Sequence, residues 1–233
     1  PVKADGSVDF VFIIRGMAGG DTKSAGGLGV NAVIITAEAG GMGSKENQAA
    51  FGRASFINES INKVLANLKT QYPDKSIHRG KLAISSFSGG YAASREIVKQ
   101  ENKIPGGIDA LVYMDGMHDK INSQEMQTYV NWARKAQKDP SKKLIVLHSA
   151  IDPGKYTSTT QTADYLVNQL GIQRKPVTRW NGEGKGPTSV ANDGGVTVLQ
   201  LYDKQDPYMV GGKVNVPGSA GYQHIKSLET GMK

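Results

Sequence analysis

The sequence predicts an α/β protein: one domain spanning 1–233, with a mainly parallel sheet and helices on both faces. Three observations lead there. Short continuous apolar runs such as Val11-Phe12-Ile13-Ile14 have strand length and suit strands covered on both sides. Segments with apolar residues at helical spacing lie between them, and strands and helices alternate from end to end. No internal repeat, linker or low-complexity block interrupts that alternation.

Taken in order, Asp9–Arg15 is a strand, followed by a glycine-rich loop over 16–29 and a strand over Ala32–Thr36. A loose segment with Gly40, Gly41 and Gly43 comes next. Ser55–Leu68 is a helix, because Phe56, Ile57, Ile61, Val64, Leu65 and Leu68 share one face; Tyr72-Pro73-Asp74 ends it. Lys81–Phe87 reads as strand and Gly89–Gln100 as helix. Ile108–Met114 is a strand, Glu125–Lys138 a helix stopped near Pro140, and Leu144–Leu147 a strand ending at His148-Ser149. Thr159–Leu170 is a helix closed by Gly171, the residue best suited to a left-handed cap. Residues 173–195 read as a long surface loop, Val196–Tyr202 as a late strand, and His224 as the start of a last short helix.

Composition excludes several functions. The chain has no cysteine, so disulfides, cysteine metal sites and a cysteine nucleophile are ruled out. No run approaches the ~20 apolar residues of a membrane-spanning helix. The net charge is +7, but the lysines are scattered without a basic block, so no nucleic-acid partner is expected. The chain opens on Pro1 rather than Met, which suits an exported protein that has lost its signal, a cytoplasmic origin being the other reading. There is no Walker A loop and no H-E-x-x-H motif, and no helix starts directly on the glycines of 16–29. No metal or organic cofactor is implied.

The stretch Ser86-Phe87-Ser88-Gly89-Gly90 stands at a strand-to-helix joint, beyond the carboxyl end of a strand. Ligands of open parallel sheets bind at such ends. Small residues permit the sharp turn, and the helix start turns free N–H groups toward whatever sits above Ser88. This is the logic of the nucleophile elbow G-x-S-x-G, here Ser86-x-Ser88-x-Gly90 with serine in place of the first glycine. The matching base would be a histidine late in the chain. Of the four histidines, His224 follows the last strand, whereas His78 precedes the serine. The acid has two candidates. Asp115 ends the strand after the serine's helix, and Asp152 lies in the loop after the next strand. Asp115 is favoured, because a strand end holds a side chain more rigidly than a loop. Two oxyanion donors are expected: the Gly89 N–H, and the Met17 N–H in the loop after the first strand, where Gly16 allows a tight turn. Arg15, Met117, His118, His148 and Ser149 stand at neighbouring strand ends as candidate pocket residues.

With these residues in place, the chain resembles the α/β-hydrolase superfamily, in a compact form close to cutinase-like esterases. The resemblance runs from the first strand to His224 and rests chiefly on the chain order Ser88, Asp115, His224. Ser88-Gly89-Gly90-Tyr91 and Asp115-Gly116-Met117-His118 also resemble uncharacterised bacterial and phage-associated members. It implies a serine hydrolase acting through an acyl-enzyme on an ester-containing small molecule or polymer, without a cofactor. The short connection before Leu144 implies no large lid. Two features depart from the pattern: the missing first glycine of the elbow, and the absence of antiparallel strands before the first strand. The alternative is a hydrolase-like binding or structural module that has lost the chemistry.

Overall fold

A computed structural model describes residues 1–15, 30–38, 44–150, 152–177, 188–202, 209–210 and 213–214. Strands β1 (Ser7–Arg15), β2 (Ala32–Glu38), β3 (His78–Phe87), β4 (Ala110–Met114), β5 (Lys143–Ser149), β6 (Lys175–Pro176), β7 (Ser189–Asp193) and β8 (Val196–Tyr202) form one eight-stranded sheet. Its order is β2-β1-β3-β4-β5-β8-β7-β6. The pairs from β2 through β8 are parallel, and β7 and β6 close the edge antiparallel. Helices α1 (Ser44–Phe51), α2 (Ala54–Gln71), α3 (Tyr91–Lys99), α4 (Gln124–Lys138) and α5 (Thr159–Leu170) fill the connections.

The period-two alternation of strands sorts the core into two clusters. In β1, Phe10, Phe12 and Ile14 face one side, where α2 (Ile57, Ile61), α3 (Ala93, Ile97), α4 (Tyr129, Trp132) and α5 (Leu166, Val167) bury their apolar faces. Val11 and Ile13 face the other side with Ala83, Val112, Met114, Ile145 and Leu147. This placement follows from handedness. From β2 onward each parallel connection steps across the sheet in the same direction, and right-handed crossovers then put α2 to α5 on one face, so among the described residues these helices cover one face where helices on both were expected. Phe56 of α2 meets Phe12 edge-on, with centroids 5.8 Å apart, which pins that helix against β1.

Among the described residues the expected elements are present with shifted ends, and three stretches differ; the short helix expected from His224 lies outside those residues. Within 173–195, expected as a loop, β6 and β7 pair antiparallel with the sheet edge. The cause is the two-residue turn Gly194-Gly195, where Gly194 has φ +54°, a hairpin signal after Asp193. Helix α1 follows the glycines at 40–43 and carries few large apolar residues, Phe51 being its packing contact, so its pattern is weak. The expected helix 89–100 divides into a 3-10 turn, Ser88–Gly90, and α3. Helix α5 has the expected bounds. Ser158 forms a capping box with Gln161, and Gly171 closes the helix at φ +67°. The connection between β4 and β5 holds α4 as its single α-helix. Among the described residues, no helix is long and apolar enough to cross a membrane.

Candidate active site

Ser88 follows the last residue of β3. Phe87 is extended (φ −121°, ψ 133°), Ser88 is left-handed (φ +49°), and Gly90 is already helical (φ −66°, ψ −17°). An L-residue in the left-handed region carries strain of about 1–3 kcal/mol and persists where its surroundings enforce it. Here the packing of the turn supplies that constraint. A Cβ added at Gly90 would lie 2.2 Å from the Ile14 carbonyl oxygen of β1, so this position accepts only glycine. The turn is pressed against the neighbouring strand, and Ser88 stands above it.

The next strand end repeats the device. Phe87 and Met114 are register partners, so Ser88 and Asp115 emerge from adjacent strands at the same level. Asp115 is also left-handed (φ +41°), and a Cβ on the following Gly116 would lie 3.3 Å from both the N and O of Ser88. The two turns therefore touch through backbone. The Asp115 N–H donates to the Leu147 carbonyl of β5 (2.9 Å), which ties the second turn to the third strand.

Three donors converge on Asp115 Oδ1: the Ser149 N–H (2.7 Å), the Ser149 hydroxyl (3.0 Å) and the Thr159 hydroxyl (2.9 Å). Among the described residues, every hydrogen bond given to this carboxylate ends on Oδ1. Burial raises the Asp115 pKa above the usual carboxylate value, opposed by those donors and by the charge of His118. Asp152 has a different setting. It is exposed, and its Oδ1 accepts the Gly154 N–H (2.9 Å) in a local turn.

The other sequence candidates divide between the site and the core. Arg15 ends β1 half-buried, in register with Phe87, and Gly89 is half-buried in the 3-10 turn. Met117 is buried in the helix-side cluster. His148 is fully buried at the end of β5: Nδ1 meets the Thr160 hydroxyl (3.2 Å), and Arg174 donates to Nε2 (3.0 Å). Burial, then the charge of Arg174, lowers the His148 pKa to about 3. Ser149 serves as a donor to Asp115. His118 lies between the rings of Tyr91 (5.6 Å) and Tyr156 (4.9 Å), both edge-on. Gly16, Met17 and His224 lie outside the described residues.

Thr159, Thr157, Tyr91 and Tyr156 escape sequence reasoning. The capping pattern Ser158-x-x-Gln161 marks the start of α5, but that Thr159 reaches Asp115 is a fact of packing.

No family model matches the chain, and no curated protein does. Among solved structures, an acetyl xylan esterase from Aspergillus awamori superposes with a TM-score of 0.50 at 12% identity, covering 97% of this chain and 92% of that one. The chain has the α/β-hydrolase fold. A Listeria innocua gene product aligns at 9% identity (TM-score 0.45, 93% of this chain and 92% of that one). One of two metagenome-derived lipolytic enzymes aligns at 12% identity (TM-score 0.39, 84% and 86%). In α/β-hydrolase terms, Ser88 occupies the strand-to-helix joint after the central β3, and Asp115 the end of the adjacent β4.

Proposed function

We propose that the chain is a serine hydrolase that cleaves an acyl bond, most simply an ester, with Ser88 as nucleophile, Asp115 as acid and His224 as base. The observation that carries this reading is the left-handed backbone of Ser88 at the β3 joint, held by Gly90 against the Ile14 carbonyl. A fold keeps such strain where it presents a side chain for use. The α/β-hydrolase fold and the chain order of the three residues support the same assignment. Asp115 is preferred to Asp152 because its turn abuts Ser88, and because three donors on Oδ1 orient the carboxylate and leave its other oxygen as the natural acceptor for an imidazole N–H.

In the proposed reaction, Ser88 Oγ attacks the acyl carbon while its proton passes to His224. Asp115 holds the imidazole tautomer and stabilises the imidazolium. The Gly89 and Met17 N–H groups receive the oxyanion. His224 returns the proton to the leaving alcohol. Water, deprotonated by His224, then adds to the acyl-enzyme, and the acid and free Ser88 are released. The short β4–β5 connection favours an open site, suited to an ester on a small molecule, a polymer or a glycan surface.

The test is labelling with a fluorophosphonate probe, mapped by peptide mass spectrometry. An adduct on Ser88 that is lost in Ser88→Ala is the expected result. A folded protein that takes no label would refute the assignment and point to a hydrolase-like module without chemistry.

A further inference from the structure

The ring of His118 faces two carbonyl oxygens at once. Nε2 lies 3.0 Å from the Asp115 carbonyl and Nδ1 3.1 Å from the Thr157 carbonyl. A carbonyl only accepts, and a neutral imidazole has a single N–H. A neutral ring would therefore satisfy one partner and turn a nitrogen lone pair on the other. Both bonds form only when both nitrogens carry hydrogen. We infer that His118 is a positioning residue, an imidazolium clamp that ties the Asp115 turn to the Thr157 segment and so holds the acid beside Ser88.

The surroundings suit a cation. The Asp115 carboxylate lies close by and favours the charged ring, while the rings of Tyr91 and Tyr156 pack edge-on against the imidazole. Among the described residues, the other charged groups on this side are Asp119, which is paired with Arg95 and accepts from Tyr129, and Lys120 and Lys155 on the groove beyond Tyr156. The clamp also has mechanical work to do. Asp115 sits in a strained conformation, and its carbonyl is the group His118 grips. The Thr157 segment carries Tyr156 and lines an open groove of about 420 Å³. The clamp thus joins the wall of that groove to the acid turn, and misplacing a catalytic group by about 1 Å costs on the order of 100-fold in rate.

The catalytic consequence rests on the hydrolase reading above, whereas the protonation of the ring does not, so the experiment has two arms. In the first, long-range proton–nitrogen NMR is recorded on the full chain at pH 7, with His118 assigned by the signals missing from His118→Gln. Two protonated ring nitrogens are expected, and one bare nitrogen overturns the clamp whether or not the protein is an enzyme. In the second, turnover of p-nitrophenyl acetate is followed. His118→Gln is expected to lower kcat roughly 10- to 100-fold with KM within about two-fold, because the acid turn loosens while the groove keeps its lining. An unchanged kcat, or a loss carried by KM instead, overturns the positioning role. An imidazolium signal in a protein that neither turns over the ester nor takes the fluorophosphonate label upholds the clamp and overturns the hydrolase reading.

Discussion

Replacing Ser88 by glycine and, separately, by alanine separates backbone strain from chemistry. Both variants delete the hydroxyl, so both lose probe labelling. They differ in what they do to φ +49° at this position. Alanine keeps a Cβ and the strain. Glycine removes a left-handed penalty of about 1–2 kcal/mol per residue and adds about 0.5–1 kcal/mol of backbone entropy lost on folding. The balance favours Ser88→Gly over Ser88→Ala by about 0.5–1 kcal/mol. For a chain of 233 residues this corresponds to a Tm higher by roughly 1–4 °C, since about 1 kcal/mol moves such domains by about 2–4 °C. Thermal melts followed by circular dichroism, with urea midpoints as a second measure, would resolve the difference. If Ser88→Gly melts at or below Ser88→Ala, the turn is not strained and the main support for a nucleophile at Ser88 falls away.

Three further outcomes follow from the same geometry. Gly90→Ala drives a Cβ onto the backbone of Ile14, and the urea midpoint is expected to fall by the equivalent of at least about 2 kcal/mol; a neutral result would mean that β1 yields easily. Asp115→Asn keeps an oxygen for the donors on Oδ1 and removes a carboxylate whose raised pKa makes it less stabilising as pH rises from 3.8 through its folded value. This variant is therefore expected to match or exceed wild-type stability at pH 7 while losing turnover, and a marked loss of stability in denaturant titrations at that pH would contradict the account. His148 is held neutral, so the stability it contributes is complete above pH 6.5 and is lost as pH falls toward about 3, at up to about 1.4 kcal/mol per pH unit. A folded His148→Gln variant should show a shallower acid limb in its stability profile, and an unchanged slope would assign the acid sensitivity elsewhere.

Much of this molecule was legible from sequence because local patterns report local causes. The runs Val11–Ile14 and Leu144–Leu147, the face of α2, and Gly171 at a helix end are written in residue order, and they suffice for a parallel α/β sheet. The pairing of Ser88 with a sharp strand-to-helix joint was legible for the same reason. The hairpin at Gly194-Gly195 is marked by its glycines, but β6 and β7 are short and polar and carry no apolar alternation that sets them apart from a loop. Helix α1 has too few apolar residues to show a period.

The site was decided by tertiary structure. That Ser88 and Asp115 end at one level depends on the register of β3 with β4, and register is set by which faces of the strands bury against the core. The three donors on Asp115 come from two elements, β5 and the start of α5, that lie 34 and 44 residues away in the chain. The two carbonyls that grip His118 are likewise 3 and 39 residues distant. Sequence by itself determines which residues can do chemistry and where strands and helices meet. Only packing decides which acceptors crowd a ring, because a hydrogen bond depends on distance in space, and distance along the chain carries no record of it.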